Sequence, residues 1–223
     1  MAEPNIRKGL WLYATMRALV LIVAKSFCRI TVVGKENIPT DTAYVLAPVH
    51  RSNVDFALVS LVTRRRMRYM AKDSLWKSKL LGWFISTLGA FPVHRGNPDR
   101  EALRTCVDMI HRGEPLVMFP EGTRCSGPVV QELFDGPVYV AGKTQVPIIP
   151  MGIGGSEAMM PRGSKLIRPV KLTLVVGAPL APPVATEGGR VSRRAVKELT
   201  DKLRVEVQRC FDEAQERAGR LHS

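Results

Sequence analysis

The chain has 223 residues, of which 45% are hydrophobic and 24% are charged, a composition that excludes a disordered protein and suits one domain with a buried core. It carries 33 basic residues against 20 acidic ones, a formal net charge of +13, so we expect an anionic partner: nucleic acid, a phospholipid surface or a phosphorylated substrate. The four cysteines form no CxxC pair and are expected to be free thiols in a reducing compartment.

An apolar segment comes first, residues 9–24 (GLWLYATMRALVLIVA), with Arg17 as its single charge. As a helix it would measure about 24 Å, less than the roughly 30 Å of a bilayer's hydrocarbon core. Cations flank it, and Trp11 and Tyr13 stand near its start, a pattern typical of a helix lying in the membrane interface. We therefore predict a membrane-contacting helix over residues 1–28. The alternative is an ordinary helix packed on the domain.

Beyond that helix, apolar strands alternate with amphipathic helices. Strands are predicted at residues 29–33, 44–49, 67–71, 91–93, 115–119, 146–153 and 170–176. Helices are predicted at residues 54–63, 76–88, 98–111 (with Asn97 before it), 138–143 and 191–218. Strands that are apolar on both faces and separated by helices are typical of a parallel sheet covered by helices. We predict one α/β domain over residues 29–223, with a mixed, mostly parallel sheet of about seven strands.

Polar residues suited to catalysis follow the second predicted strand. His50 and Asp55 are five residues apart, and a helix turns through about 500° over that distance, so within one helix they would lie on different faces. They can meet only if His50 precedes the helix and Asp55 lies in its first turn, with Ser52 or Asn53 as the N-cap. Asp55 would then hold one imidazole nitrogen while the other takes a proton from an alcohol.

Three further stretches lie at the ends of predicted strands or along them: residues 91–96, 119–124 and 146–150. Arg95, in residues 91–96 (FPVHRG), and Arg124, in residues 119–124 (FPEGTR), suit a phosphate because a guanidinium offers a fork of donors. Glu121 would repel a phosphate, so we expect it to accept hydrogen bonds from substrate hydroxyls or to orient an arginine. Ligands of such sheets bind outside the carboxyl ends of the strands, which predicts one shared site.

Together these motifs resemble the 1-acylglycerol-3-phosphate acyltransferases and related glycerolipid acyltransferases with an HxxxxD motif. His50 and Asp55 match that motif, and residues 119–124 match the family's Phe-Pro-Glu-Gly-Thr-Arg box in full. Arg95 matches its arginine box, and residues 146–150 match its Val-Pro-Ile-Ile-Pro segment. The resemblance extends roughly from residue 30 to residue 180, with the motifs in the family's order and spacing.

The resemblance implies transfer of a fatty acyl group from acyl-CoA or acyl carrier protein to 1-acylglycerol-3-phosphate, giving phosphatidate. Glycerol 3-phosphate or another lysolipid is the alternative acceptor. It implies His50 as general base and Asp55 as the residue that orients it, with no cofactor and no metal. The residues expected to bind the acceptor are Arg95, Glu121, Gly122, Thr123 and Arg124. Those expected to support the site or the acyl pocket are Ser52, Asn53, Pro147 and Pro150.

Three positions depart from the family's pattern. Val49 replaces the common Asn before the histidine, Cys125 replaces the common Ser after the arginine, and residues 134–137 lack the usual basic-Gly-Ala character. These changes leave the chemistry alone and the acceptor open. We expect direct transfer on the cytoplasmic face of a membrane, by a peripheral or monotopic protein. The alternative is a covalent step on Cys125, activated by His50.

Other classes of function have less support. Residues 154–158 (GGSEA) lack the last glycine of a hydrolase nucleophile elbow. A metal site built from His50, Asp55, His94 and Glu121 would lack the usual pair of histidines one turn apart.

Nucleic-acid binding is the non-enzyme alternative, although we expect no nucleic-acid partner. It depends on the net charge and on two basic clusters, residues 64–68 and 190–197, which no nucleic-acid-binding motif accompanies. A membrane surface would explain these clusters as well.

Overall fold

The strand order of the central sheet determines where a ligand can bind. The computed structural model describes residues 6–93, 100–161, 163–164, 166–185 and 190–219. Its strands are β1 (Thr31–Val33), β2 (Val45–Pro48), β3 (Arg68–Lys72), β4 (Ala90–Val93), β5 (Leu116–Val117), β6 (Ile148–Gly154) and β7 (Thr173–Val176). They form one sheet in the order β1-β7-β6-β2-β5-β3-β4, in which β6 and β7 are antiparallel and the other neighbours are parallel.

Helices cover both faces of this sheet. They are α1 (Ile6–Cys28), α2 (Asp55–Val59), α3 (Lys79–Thr87), α4 (Arg100–His111), α5 (Gly136–Thr144), α6 (Ser156–Met159) and α7 (Arg193–Ala218). The connections β2→β3 and β3→β4 step along the sheet in one direction, and β4→β5 and β5→β6 step in the other. Because crossovers between parallel strands are right-handed, the two sets of connecting helices lie on opposite faces. α1 contacts α2 and α3 on one face, and α4, α5 and α7 pack together on the other.

The direction of connection changes between β2 and β5, which are hydrogen-bonded neighbours. After β2 the chain moves toward one edge of the sheet, and after β5 it moves toward the other. A crevice opens at such a switch point, outside the carboxyl ends of the strands. His50 follows β2 and Glu121 follows β5, so both lie at this crevice.

Helix α7 packs directly on β6, which is the longest strand and is buried at every residue. Two glycines of β6 make this close approach possible. A side chain at Gly152 would overlap the backbone of Cys210, and one at Gly154 would overlap the backbone of Ala214. The carboxyl end of β6, beside β2, is therefore held firmly by the longest helix.

Helix α1 lies across its face of the sheet, from the start of β3 to the start of β7. The Tyr13 hydroxyl donates to the carbonyl of Arg65 (3.2 Å), before the amino end of β3. At the far end, the Cys28 carbonyl accepts from the backbone N–H of Leu172 (3.1 Å), just before β7, the strand next to the edge strand β1. Between these points, Arg17 donates to the carbonyls at the end of the 3-10 helix Ser60–Val62, at 2.7–3.3 Å.

The apolar window Leu10–Cys28 has 19 residues, about 28 Å of helix, so by length and composition it is long enough to cross a membrane. The helix was predicted over residues 1–28, and the apolar window reaches beyond the apolar segment 9–24 to Cys28. The contacts of Tyr13, Arg17 and Cys28 tie α1 lengthwise to the domain instead. Its other side remains largely exposed.

The prediction of a single α/β domain with a mostly parallel, seven-stranded sheet is confirmed. Several boundaries differ. The predicted helix 54–63 is α2 followed by a 3-10 turn, and the predicted helix 76–88 is interrupted at Ser78, whose hydroxyl accepts from the N–H of Leu81 and caps α3. The predicted start at Asn97 and Pro98 lies outside the described residues, and α4 is described from Arg100.

Candidate active site

The loop between β2 and α2 places a histidine against a buried carboxylate. His50 precedes α2 and Asp55 is its first residue, the arrangement that their spacing requires. Nδ1 of His50 lies 3.0 Å from Oδ2 of Asp55, and the Asp55 side chain is fully buried. A carboxylate at this distance favours the tautomer with the proton on Nδ1, because the anion can only accept. Nε2 then carries the lone pair.

Asp55 also shapes the turn in which His50 sits. Its Oδ2 accepts the backbone N–H groups of Arg51 (2.6 Å) and Ser52 (2.7 Å). The predicted N-cap is wrong: Val54 occupies that position, since Asp55 itself takes up the free N–H groups of the turn. The Ser52 hydroxyl instead donates to the carbonyl of Met160 (2.8 Å), and Asn53 is exposed, with no side-chain hydrogen bond to a described residue.

The imidazole of His50 is held on its other sides as well. It stacks on the ring of Phe119, with 4.1 Å between centroids. Its backbone N–H donates to Glu121 (3.2 Å), and its carbonyl accepts from the N–H of Cys125 (2.9 Å). The side chain is 17% exposed, so the ring is fixed while one edge can still meet a substrate. Such an arrangement can accept a proton from an alcohol through Nε2.

Glu121 is not placed to bind a substrate. Its side chain is fully buried, and Nη1 of Arg51 donates to both carboxylate oxygens, at 3.0 and 2.7 Å. The N–H groups of His50 and Gln131 donate to the remaining positions. A carboxylate has about four acceptor positions, and all four are occupied here. The carboxylate of Glu121 therefore has no acceptor position left for a substrate hydroxyl in this structure, and its contact with Arg51 fits the other expectation, that it orients an arginine.

Arg51 is the residue whose importance the sequence did not reveal. It is 2% exposed, and besides Glu121 it donates to the carbonyls of Gly127 and Val129, each at 3.2 Å. Its guanidinium lies 4.8 Å from the ring centroid of Phe211 in α7. Arg51 thus joins the histidine turn, the loop after β5 and the last helix. In the sequence, Arg51 lies between His50 and Asp55 and has no feature that distinguishes it from a solvated surface arginine. The expectation that Glu121 orients an arginine was the one indication of a buried pair, and it did not identify which arginine.

The rest of the loop after β5 faces outward. Gly122 and Thr123 are exposed, and Gly122 has a φ of 67°, a conformation that favours glycine. A side chain there would also meet the ring of Phe134. Arg124 is half-buried, and no described residue hydrogen-bonds to its guanidinium, so its donors are available to an anion. Arg95, predicted to act with it, lies outside the described residues.

The two prolines that were expected to support the site belong to the sheet beside it. The Pro147 carbonyl accepts from the N–H of Val45 (3.0 Å), and Pro150, inside β6, pairs with Ala47 in β2. They hold β2 in register three to five residues before His50. Among the described residues, no three His, Cys, Asp or Glu side chains form a metal-binding group, and His94 lies outside that part of the chain.

The basic clusters are partly used inside the protein. Within residues 64–68, Arg65 donates to two backbone carbonyls, while Arg66 and Arg68 pair with Glu114. At the start of α7, exposed basic side chains pair with acidic ones one turn further along. The charge available to an extended polyanion is therefore smaller than the sequence indicates.

Comparison with known proteins now gives this site its context. The family model described as Acyltransferase matches residues 29–154, more than half of the chain. The 1-acyl-sn-glycerol-3-phosphate acyltransferase of Bacillus subtilis is 33% identical over 152 residues, which are 68% of this chain and 73% of that protein. The chloroplastic 1-acyl-sn-glycerol-3-phosphate acyltransferase LPAT1 of Arabidopsis thaliana is 31% identical over 143 residues, 62% of this chain and 40% of that one.

A solved structure has the same fold. The crystal structure of the 1-acyl-sn-glycerophosphate acyltransferase PlsC from Thermotoga maritima gives a TM-score of 0.75 and 24% identity, covering 96% of this chain and 83% of that one. The chain belongs to the acyltransferase family, and the resemblance that its motifs indicated is confirmed. It is an enzyme that transfers acyl groups.

Proposed function

We propose that the enzyme transfers a fatty acyl group from a thioester to the free hydroxyl of 1-acylglycerol-3-phosphate, giving phosphatidate. The observation that carries the proposal is the His50–Asp55 pair, with Nδ1 held at 3.0 Å and one edge of the ring exposed at the switch point of the sheet. The names of the relatives in Bacillus subtilis and Arabidopsis thaliana support this acceptor.

The proposed reaction needs one base and one orienting carboxylate. Nε2 of His50 takes the proton of the acceptor hydroxyl as the oxygen attacks the thioester carbonyl. Asp55 stabilises the imidazolium that forms and keeps the ring in place. The C–S bond then breaks, and the imidazolium returns its proton to the departing sulfur. The products are an ester and a free thiol.

Transfer is proposed to be direct, because a thioester is already an activated donor and needs only an oriented hydroxyl. Cys125 has no role in this scheme, so Cys125→Ser should keep most of the activity. The donor is acyl-CoA or acyl carrier protein, and no cofactor or metal takes part.

The acceptor phosphate is proposed to bind Arg124, whose donors lie beyond the histidine at the same edge of the sheet. Arg95 remains the predicted second ligand. Gly122 and Thr123, both exposed, keep their predicted place beside the acceptor. Glu121 is assigned a positioning role through Arg51 instead.

The outer side of α1 is proposed to rest on the membrane that supplies the acceptor. Beside the exposed Lys25, this side carries six exposed large apolar side chains: Leu10, Trp11, Leu19, Ile22, Val23 and Phe27. Burying such side chains in the acyl boundary favours binding, at roughly 25 cal/mol per Å². The four free cysteines fit a reducing environment, in keeping with a peripheral or monotopic protein on the cytoplasmic face.

A competition assay tests this function. Purified enzyme and a labelled acyl thioester are offered glycerol 3-phosphate, 1-acylglycerol-3-phosphate and its 2-acyl isomer in equal amounts. We expect label mainly in phosphatidate made from the 1-acyl acceptor. His50→Ala should reduce the rate about 10²–10⁴-fold with an unchanged circular dichroism spectrum. A variant within about threefold of wild type would remove His50 from the mechanism, and preference for glycerol 3-phosphate would correct the acceptor.

A further inference from the structure

Helix α3 and the 3-10 helix before it, Asp73–Lys77, present an apolar and basic surface that the acyl-transfer site does not use. Leu80 is 76% exposed and Trp83 is 55% exposed, and Leu75 and Leu81 are also largely exposed. The exposed cations of the same segment are Lys77 and Lys79, and the exposed Lys72 directly precedes it. Nearly all exposed side chains of this segment are therefore either large and apolar or positively charged.

The inner side of this segment is well fixed, so the exposed residues are not a loosely packed core. Gly82 lies so close to Trp76 that a side chain there would overlap the indole. Nε1 of Trp76 donates to the Ser86 hydroxyl (3.0 Å), and the Thr87 hydroxyl donates to the carbonyl of Trp83 (2.8 Å). α3 therefore holds Leu80 and Trp83 outward as part of its folded state.

α3 lies beside α1 in the same helical layer. Since both helices pack their inner sides on one face of the sheet, their outer sides face the same way. Phe56, exposed on α2, lies in this layer too and directly follows Asp55. The layer thus presents exposed apolar side chains from three helices, and it reaches the active site.

The opposite layer has a different surface. The exposed side of α7 carries ion pairs between residues one turn apart, such as Arg194–Glu198, Lys197–Asp201 and Arg217–Glu213. Such pairs suit a surface that stays in water. The protein therefore has one face suited to water and one suited to an apolar, negatively charged surface.

We propose that α3 and residues 73–77 form a second membrane-docking element, which contacts a bilayer containing anionic phospholipids. Leu80 and Trp83 enter the acyl boundary, and Lys77 and Lys79 lie among the phosphates. The inference builds on the proposed function, which places α1 at the membrane. With two elements in contact, the protein cannot rotate about α1, and the active-site edge keeps one orientation to the lipid.

The test is vesicle binding by the full chain. Leu80→Ser/Trp83→Ser is compared with wild type and with Val205→Ser, a matched control that changes an exposed apolar side chain (66% exposed) on α7. On phosphatidylcholine vesicles containing phosphatidylglycerol, the α3 variant should lose about tenfold or more in partition coefficient. The control should stay within about twofold of wild type, and the melting temperatures of all three should agree.

A second variant tests the charges without touching the apolar side chains. Lys77→Gln/Lys79→Gln should weaken binding to the anionic vesicles and leave binding to pure phosphatidylcholine unchanged. Undiminished binding by Leu80→Ser/Trp83→Ser would overturn the proposal. The proposal would also be overturned if the wild type self-associates without vesicles and Leu80→Ser/Trp83→Ser abolishes this self-association. The surface would then bind a second copy of the chain.

Failure of this inference is distinct from failure of the proposed function. Vesicle binding needs no turnover, so it can succeed or fail whichever acceptor the enzyme uses. Acyl transfer to a short-chain acceptor that remains monomeric in water should be the same in the α3 variant and in wild type, because no changed residue belongs to the site.

Discussion

At the scale of single residues, the buried pair of Arg51 and Glu121 determines how the active site is held together. Arg51 contacts the loop after β5 and Phe211, while Glu121 receives the backbone N–H of His50. Removing one partner of a buried ion pair leaves the other charge without compensation. The pair therefore couples the position of the histidine to the integrity of the fold.

Glu121→Gln should consequently lower the stability of the protein by about 3–5 kcal/mol. We also expect kcat to fall, because Glu121 helps to position His50. The KM for the acceptor should change little, because the hydrogen bonds that Glu121 accepts all come from the protein itself. Denaturant unfolding and steady-state kinetics measure the two effects. A large increase in acceptor KM at unchanged stability would instead restore Glu121 as a substrate ligand.

For Arg124 we expect the opposite of the Glu121 result: weaker binding of the acceptor at unchanged stability. Its guanidinium has no partner among the described residues, so Arg124→Ala should leave the melting temperature unchanged and raise the KM of the acceptor. The loss of one charge-assisted phosphate contact costs about 1.5–3 kcal/mol, or roughly ten- to a hundredfold in KM. The donor KM should not move. Arg204→Ala, on the exposed side of α7, serves as the control, and equal effects on both substrates would place Arg124 at the donor instead.

The residue-scale predictions from sequence succeeded where spacing alone restricts geometry. Five residues between His50 and Asp55 allow contact only across a helix start, and the structure has that arrangement. The partners of Glu121 could not be predicted, because Arg51 is seventy residues away along the chain and the two meet only when β2 and β5 pair. No local pattern carries that information.

At the scale of elements, apolar runs predicted the central strands because β2, β5, β6 and β7 are buried at every residue. Their ends were less predictable. Residues 115–119 are apolar throughout, yet β5 pairs only at Leu116–Val117, because the chain then turns into the loop that holds Glu121. α1 continues past residue 24, where the apolar segment of the sequence ends, because Ala24 and Cys28 continue its inner side into the core.

The two sides of α1 give a prediction at this scale. Ile22→Ser/Phe27→Ser changes only exposed side chains, so it should release the protein from anionic vesicles while the melting temperature stays near that of wild type. Arg17→Met should do the reverse, since it removes the hydrogen bonds to the 3-10 helix after α2 and leaves the outer side intact. Flotation and thermal unfolding distinguish the two. If Arg17→Met released the protein from the vesicles and Ile22→Ser/Phe27→Ser did not, the assignment of the membrane-facing side of α1 would be wrong.

At the scale of the whole molecule, buried tyrosines predict where alkaline pH destabilises the fold. Burial raises the pKa of Tyr44 from 10.0 to about 12, and burial also raises the pKa of Tyr69 well above its usual value. The folded state therefore holds these protons more tightly than the unfolded state does. Their contribution is complete below pH 10 and is lost as the pH rises toward 12.

For Tyr44 alone this loss corresponds to about 3 kcal/mol of unfolding free energy. Urea unfolding at a series of alkaline pH values should show the decline, and Tyr44→Phe should show a shallower one. Parallel curves for the two proteins would mean that Tyr44 ionises normally in the folded state.

The way α1 lies on the domain has a consequence for the membrane itself. Because the helix is tied lengthwise to the domain, the membrane contact proposed for α1 would have the enzyme draw its acceptor from a single leaflet and leave its product there. Each turnover then exchanges a one-chain lipid for a two-chain lipid on one side only. The area of that leaflet grows while the opposite leaflet stays the same, so bilayer growth through this enzyme depends on a later step that moves lipid across.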